Sequence, residues 1–183
     1  MKKIEIFNDV YVIKPDIFSD ERGSFQESYN YKAFSELGFN EEFIQDNISF
    51  SKTKNTIRGL HFQSGAYSQS KLLRVLEGEI QDVFIDLRVD SKFYEKHYSI
   101  NLSKNSGWVY IPKGYAHGFC TLSNNTSVLY KVDKPYSVEH DSGIRWNDSF
   151  FAINWNINDN DPVISSKDKE LPFWNDIKEA SIF

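Results

Sequence analysis

Four side chains spread along the sequence are of the types that move protons: His61, Lys71, Tyr130 and Asp168. An imidazole can accept and return a proton near neutral pH, and a carboxylate beside it fixes its tautomer. A phenol aimed into a site can serve as a general acid. His61 lies in the run Arg58-Gly59-Leu60-His61-Phe62-Gln63, with Lys71 a little further on, so a candidate base is accompanied by two cations. Taken singly, each residue has an ordinary structural role: a strand histidine that is merely hydrogen-bonded, a packed tyrosine, a solvated acid near a helix start. Their company gives the acid–base reading its weight.

These residues need elements to carry them. Short alternating or apolar runs recur at 4–13, 24–29, 43–50, 60–63, 72–76, 80–87, 97–102, 107–111, 118–122, 126–132 and 151–153, separated by turn signals such as Pro112-Lys113-Gly114. Many short strands at close spacing predict an all-β sandwich or barrel, here a jelly roll of two antiparallel sheets. Only Asn30–Gly38 reads clearly as a helix, with a weaker one after Ser165, where a serine cap precedes early acids. Strand periodicity puts His61 and Gln63 on one face of their run, with Leu60 and Phe62 on the other. It likewise puts Asp82, Phe84 and Asp86 opposite Val83, Ile85 and Leu87.

Composition agrees and excludes alternatives. At 183 residues with no Pro/Gly/Ser-rich divider, the chain reads as a single domain, 1–183. Aromatic residues reach 16%, which favours half-buried strands and aromatic-lined pockets. A net charge of −5 with scattered Lys and Arg disfavours nucleic acid while leaving a local anion site open. No run approaches the roughly 20 apolar residues of a membrane span, and the start lacks the pattern of a secretory leader, so a soluble cytoplasmic protein is expected. The one cysteine, Cys120, lies in an apolar run and reads as core.

The remaining polar candidates are weaker. His97 and His140 read as surface residues. No H-x-H pair exists and the four histidines stand at least 20 residues apart, which argues against a metal site. Asp82 and Asp86 lie about 13 Å apart on an extended strand, beyond the spacing of glycosidase carboxylates. Either acid is better suited to orient Lys71, Arg74 or Arg88 through a charge-assisted bond.

In order and spacing, DERGSFQESYN (20–30), FIQDNISFSK (43–52), TIRGLHFQ (56–63), SKLLRVLEGEIQDVFIDLR (70–88), YIPKGYAHGFCTLS (110–123), LYK (129–131), GIRWND (143–148) and ISSKD (164–168) resemble the dTDP-4-dehydrorhamnose 3,5-epimerase family. The likeness runs from about Val10 to Lys169. It implies a cupin-like jelly roll with a few short helices, and a homodimer that exchanges N-terminal strands. It implies His61 as catalytic base, Asp168 as its partner, Tyr130 as general acid and Lys71 as the cation near the sugar's C4 oxygen. Arg58, Gln45, Asn47 and His117 match contacts to sugar and diphosphate, and Arg22 and Glu27 match residues supplied across the dimer. Phe25 and Tyr136 match aromatic contacts to the base.

The implied substrate is a nucleotide-diphosphate-linked 4-keto-6-deoxy sugar. Its C3 and C5 protons are acidic because the ketone takes up charge as an enolate, so a base, an oxygen stabiliser and an opposing donor suffice without metal or organic cofactor. Four positions depart from the family's usual residues: Ser70 for glycine, Pro135 for an aromatic, Val138 for proline, and Asp141 for a ligand-contacting glutamate. They leave open a dTDP, GDP or CDP carrier, a hexose or heptose, and a C3-only epimerase. A non-catalytic sugar-binding jelly roll is the alternative from another class.

Overall fold

The computed structural model describes residues 1–157 and 161–179. Its strands are β1 (Lys2–Phe7), β2 (Val10–Lys14), β3 (Phe18–Asp20), β4 (Gly23–Phe25), β5 (Gln45–Ser51), β6 (Ile57–Gln63), β7 (Lys71–Glu77), β8 (Glu79–Asp86), β9 (His97–Ser103), β10 (Trp108–Ile111), β11 (Tyr115–Thr121), β12 (Thr126–Val132) and β13 (Asp141–Gly143). Three short helices are α1 (Tyr31–Glu36), α2 (Ser166–Lys169) and α3 (Trp174–Ile177). The strands form a six-stranded sheet in the order β1-β2-β10-β7-β12-β5 and a five-stranded sheet in the order β13-β6-β11-β8-β9. A separate hairpin joins β3 to β4. The fold is a jelly roll.

Alternation decides what each face does. From β2, β7, β10 and β12 the residues Val10, Val12, Leu73, Val75, Val109, Ile111 and Val128 meet Ile80, Phe84, Leu102, Tyr115 and Phe119 of the opposing sheet. Each such side chain contributes roughly 1.5–3 kcal/mol when removed from water. The other face of the five-stranded sheet, including Ile57, Leu60, Phe62, Val83 and Ile85, is covered by Ile144, Phe151, Trp155 and Trp174. Inward positions are therefore apolar along most of the sandwich. At one end they become polar: Arg58, His61 and Gln63 on β6, Lys71 on β7, Tyr130 on β12.

One irregularity sets that polar end. His117 pairs with His61 and Phe119 with Arg58, so two steps along β11 match three along β6. The extra residue is a β-bulge. Strict alternation would put Arg58 with Leu60 and Phe62 against the outer core; the bulge turns it to the same side as His61. Gly59 occupies the bulge at φ 115°, and a Cβ there would lie 2.6 Å from the Gly118 Cα. Backbone outliers of this kind cost a residue with a side chain about 1–3 kcal/mol. Gly59→Ala is expected to lower the free energy of unfolding, measured by urea melts, by at least that amount and to cut activity with it, whereas Gly65→Ala, with open space around its Cβ position, should show only the backbone cost.

Several sequence expectations need correction. The run 4–13 is two strands, because Asp9 turns through the left-handed region at φ 61°. Residues 151–153 form a turn, with Ala152 at φ 47°, although Phe151 does reach the core. His97 is half-buried, with its Nδ1 enclosed. Burial lowers its pKa despite a backbone hydrogen bond with Phe151 that raises it. His140 is also half-buried, bonded through Nδ1 to Ser137 Oγ at 2.8 Å and packed against the Tyr67 ring. The helices after Asn30 and Ser165 form as expected, each with its cap side chain accepting a backbone N–H.

Candidate active site

A cavity of about 750 Å³ opens at the polar end of the sandwich. Its lining includes Arg58, His61, Lys71, His117, Tyr130, Tyr136, Asp141 and Asp168. Leu73 and Phe119, which belong to the core between the sheets, also line it. His61 and His117 come from adjacent strands of the five-stranded sheet, while Lys71 and Tyr130 come from adjacent strands of the six-stranded sheet. The candidate base and the candidate acid thus enter the cavity from opposite walls.

Asp168 is delivered by the C-terminal segment. That segment docks beside the start of β6, where Val163 N–H donates to Asn55 O at 2.9 Å and Ile57 N–H donates to Val163 O at 3.0 Å. Ser165 then caps α2, accepting from Asp168 N–H at 3.1 Å. The carboxylate is buried; its Oδ1 lies 2.9 Å from His61 Nε2 and its Oδ2 accepts from Gly59 N–H at 3.1 Å. Burial pushes the Asp168 pKa up, but the hydrogen bond and charge of His61, the Gly59 amide and Ser165 together hold it below the usual carboxylate range. One nitrogen of His61 is thereby engaged, and the other has no hydrogen-bond partner among the described residues.

Lys71 donates to His61 O at 3.3 Å. Burial lowers its pKa to about 8, with the charges of Asp141 and Asp82 opposing the shift. Burial raises the Tyr130 pKa, Arg58 lowers it and Asp141 raises it, for a net rise. The shift favours the neutral hydroxyl of Tyr130 over the phenolate. Arg58 reaches across to the other sheet, its Nε donating to Ser51 Oγ at 3.1 Å and its Nη2 to Phe50 O at 2.9 Å.

The rim is organised by Gln63, which is buried. Its amide donates to Tyr67 O and Pro135 O, each at 3.1 Å, and its Oε1 accepts from Ser137 N–H at 2.6 Å. This fixes the loop carrying Tyr136, whose hydroxyl donates to Asp141 Oδ2 at 3.0 Å. Lys167 also donates to Asp141 Oδ2 and lines the cavity. Sequence reasoning passed over Lys167; its place beside Asp168 on α2 was the available signal. Ser70 is buried immediately before Lys71, its N–H donating to Asp133 Oδ1 at 2.7 Å and its Oγ accepting from Lys113 N–H at 3.2 Å.

The other site candidates lie apart from the cavity. Gln45 and Asn47 sit on β5, bonded to each other at 2.8 Å, with Asn47 opposite Tyr130 in register. Arg22 pairs with Asp20 at 2.6 Å on the exposed β3–β4 hairpin, Phe25 is 70% exposed there, and Glu27 accepts from Asn30 Nδ2 at 3.1 Å. Asp86 holds Arg88 at 2.8 Å, one of the pairings expected. Asp82 does not hold a lysine or arginine; its Oδ1 lies 2.7 Å from His117 Nε2. Cys120 is buried, and burial raises its pKa to about 11. Among the described residues, no three His, Cys, Asp or Glu side chains are grouped as a metal site, and no helix is long and apolar enough to cross a membrane.

A jelly roll whose cavity sets a histidine–aspartate pair across from a lysine and a protonated tyrosine defines an acid–base isomerase. Comparison with known proteins narrows the class. A family model described as dTDP-4-dehydrorhamnose 3,5-epimerase matches residues 5–176, and the chain belongs to that family. The dTDP-4-dehydrorhamnose 3,5-epimerase of Salmonella typhimurium is 45% identical over 166 residues, covering 90% of each chain. The Bacillus anthracis enzyme of that name, solved with TDP and PPi bound, is 47% identical with a TM-score of 0.90, covering 94% of this chain and 98% of the other. The Legionella pneumophila dTDP-6-deoxy-D-glucose-3,5-epimerase, solved with dTDP-4-keto-L-rhamnose, is 38% identical with a TM-score of 0.90, covering 96% and 94%.

Proposed function

We propose that this chain inverts C3 and C5 of a dTDP-linked 4-keto-6-deoxyhexose. The observation that carries the reading is the entry of His61 and Tyr130 from opposite walls of one cavity, with Lys71 beside them. His61 takes the proton from the carbon next to the ketone, and the electron pair moves to the C4 oxygen. The Lys71 ammonium stabilises that enolate oxygen, and Tyr130 returns a proton to the carbon from the other face, inverting it. Once His61 has released its proton to solvent and Tyr130 has taken one up, the same set acts at the second carbon. Nothing is oxidised or reduced, so these residues need no metal or organic cofactor.

Arg58 and His117 are assigned to the diphosphate and sugar, Tyr136 to the base, and Asp141 with Lys167 to the rim contact. The B. anthracis relative's TDP and the L. pneumophila relative's dTDP-sugar favour a thymidine carrier over guanosine or cytidine. Gln45, Asn47, Arg22, Phe25 and Glu27 complete the set in a homodimer. The exposed apolar side chains of Ile17, Phe18 and Phe25 on and beside the hairpin, and of Ile48 and Phe50 on the edge strand β5, support exchange of the N-terminal hairpin into a neighbour's site. The single-domain organisation and cytoplasmic location expected from the sequence go with this reading.

In deuterium oxide, a dTDP-linked 4-keto-6-deoxyglucose is expected to take up solvent deuterium at both C3 and C5 by NMR, faster than its GDP- and CDP-linked counterparts. Exchange at C3 alone would make the protein a C3 epimerase, and no exchange with any of the three would overturn the reading.

A further inference from the structure

A second histidine–aspartate pair borders the cavity, which it reaches through His117. His117 and His61 are directly opposite each other on adjacent strands, and each ring has one nitrogen held by a carboxylate, His117 by Asp82 at 2.7 Å and His61 by Asp168 at 2.9 Å. The two carboxylates are not equivalent. Asp168 also accepts from the Gly59 amide. Asp82 is completely buried; its Oδ2 has no hydrogen-bond partner among the described residues, and its recorded bond is to His117. A buried carboxylate is costly unless well compensated, and among the described residues the Asp82 side chain holds no loop, cap or turn in return.

We propose that Asp82 is a positioning residue for substrate binding: it fixes the His117 ring so that the nitrogen not bound to Asp82 faces the cavity and engages the diphosphate of the substrate. This rests on the functional reading above, which assigns His117 to that part of the ligand. His117 retains 8% exposure and lines the cavity. Arg58, on the neighbouring strand β6, lines the same space, so the diphosphate meets donors from two adjacent strands. The two pairs differ in role: the His61 pair acts on carbon, and the His117 pair acts on the diphosphate of the ligand.

The probe is dTDP, which binds without reacting. By calorimetry, Asp82→Asn, which keeps the side-chain shape, is expected to weaken dTDP roughly 10- to 100-fold, the size of a lost charge-assisted bond. His117→Asn should do the same, and the double variant should be no weaker than the worse single one. With the keto sugar, KM should rise in parallel while kcat changes less than about threefold. Unchanged dTDP affinity, additive losses in the double variant, or a fall in kcat at constant KM would each overturn the proposal; the last would place Asp82 behind Lys71, whose charge it also influences. Should Asp82→Asn not fold, nitrogen-15 NMR of the wild-type imidazoles decides. Added dTDP must move the cavity-facing nitrogen of His117 while its Nε2 stays hydrogen-bonded, and an unmoved resonance overturns the idea. Failure of deuterium exchange with every sugar would sink the epimerase reading without touching the dTDP measurement.

Discussion

His61→Ala is expected to abolish deuterium exchange at both carbons, a loss of about 10²–10⁴-fold or more, while dTDP still binds within a few-fold of wild type. The separation follows from the structure: the imidazole's one recorded side-chain partner is Asp168, whereas the nucleotide end of the ligand is assigned to Arg58, His117 and Tyr136. Loss of dTDP affinity in parallel with turnover would show that His61 binds and does not catalyse. Asp168→Asn should fall between the two, because an amide can still orient the ring but cannot support its positive charge. A stability consequence accompanies it. The folded pKa of Asp168 is lowered, so its contribution to stability is present above the unfolded carboxylate value and disappears as pH falls through the folded value. In acid, Asp168→Asn should therefore cost less stability relative to wild type than at neutral pH. Equal differences at pH 7 and pH 3 in urea melts would contradict this.

The sheets were largely legible because their inner and outer positions alternate in hydrophobicity: Val83, Ile85 and Leu87, like Leu60 and Phe62, fall on the face expected. What could not be read is whatever depends on register. The bulge at Gly59 brings Arg58 to the side of His61, and no local pattern announces a mismatch of two residues against three. The partner of Asp82 follows from the pairing of β8 with β11, in which Asp82 faces Phe119 and His117 lies two positions along. That is why an acid expected to hold a lysine or arginine holds a histidine. The third helix, α3, was missed because four residues carry no periodicity; it is fixed by Trp174 packing into the outer core and by Asp148 accepting its backbone N–H at 2.5 Å. His61, Lys71, Tyr130 and Asp168 were found as a set through family resemblance. Spacing alone offered little, since 107 residues separate the two members of the His61–Asp168 pair.

Lys71→Gln is expected to reduce kcat by about 10²–10³-fold, the usual loss when one donor to a developing oxyanion is removed, with a smaller change in KM. An amide retains some hydrogen-bonding capacity but cannot place a full charge beside the enolate. The native lysine makes a sharper test through pH. Its pKa is lowered to about 8 by burial, against the opposing pull of Asp141 and Asp82, so kcat/KM should fall on the alkaline side near pH 8, far below an ordinary lysine. Stability should move the other way. Between about 8 and the ordinary lysine value near 10.4, the unfolded chain holds the proton and the folded chain does not, so this group's contribution to folding becomes more favourable as pH rises. Asp141→Asn removes one of the charges sustaining the ammonium and should shift the alkaline limb of kcat/KM to still lower pH. A limb that stays above pH 10 in wild type, or that Asp141→Asn leaves in place, would separate Lys71 from the titration that governs the reaction.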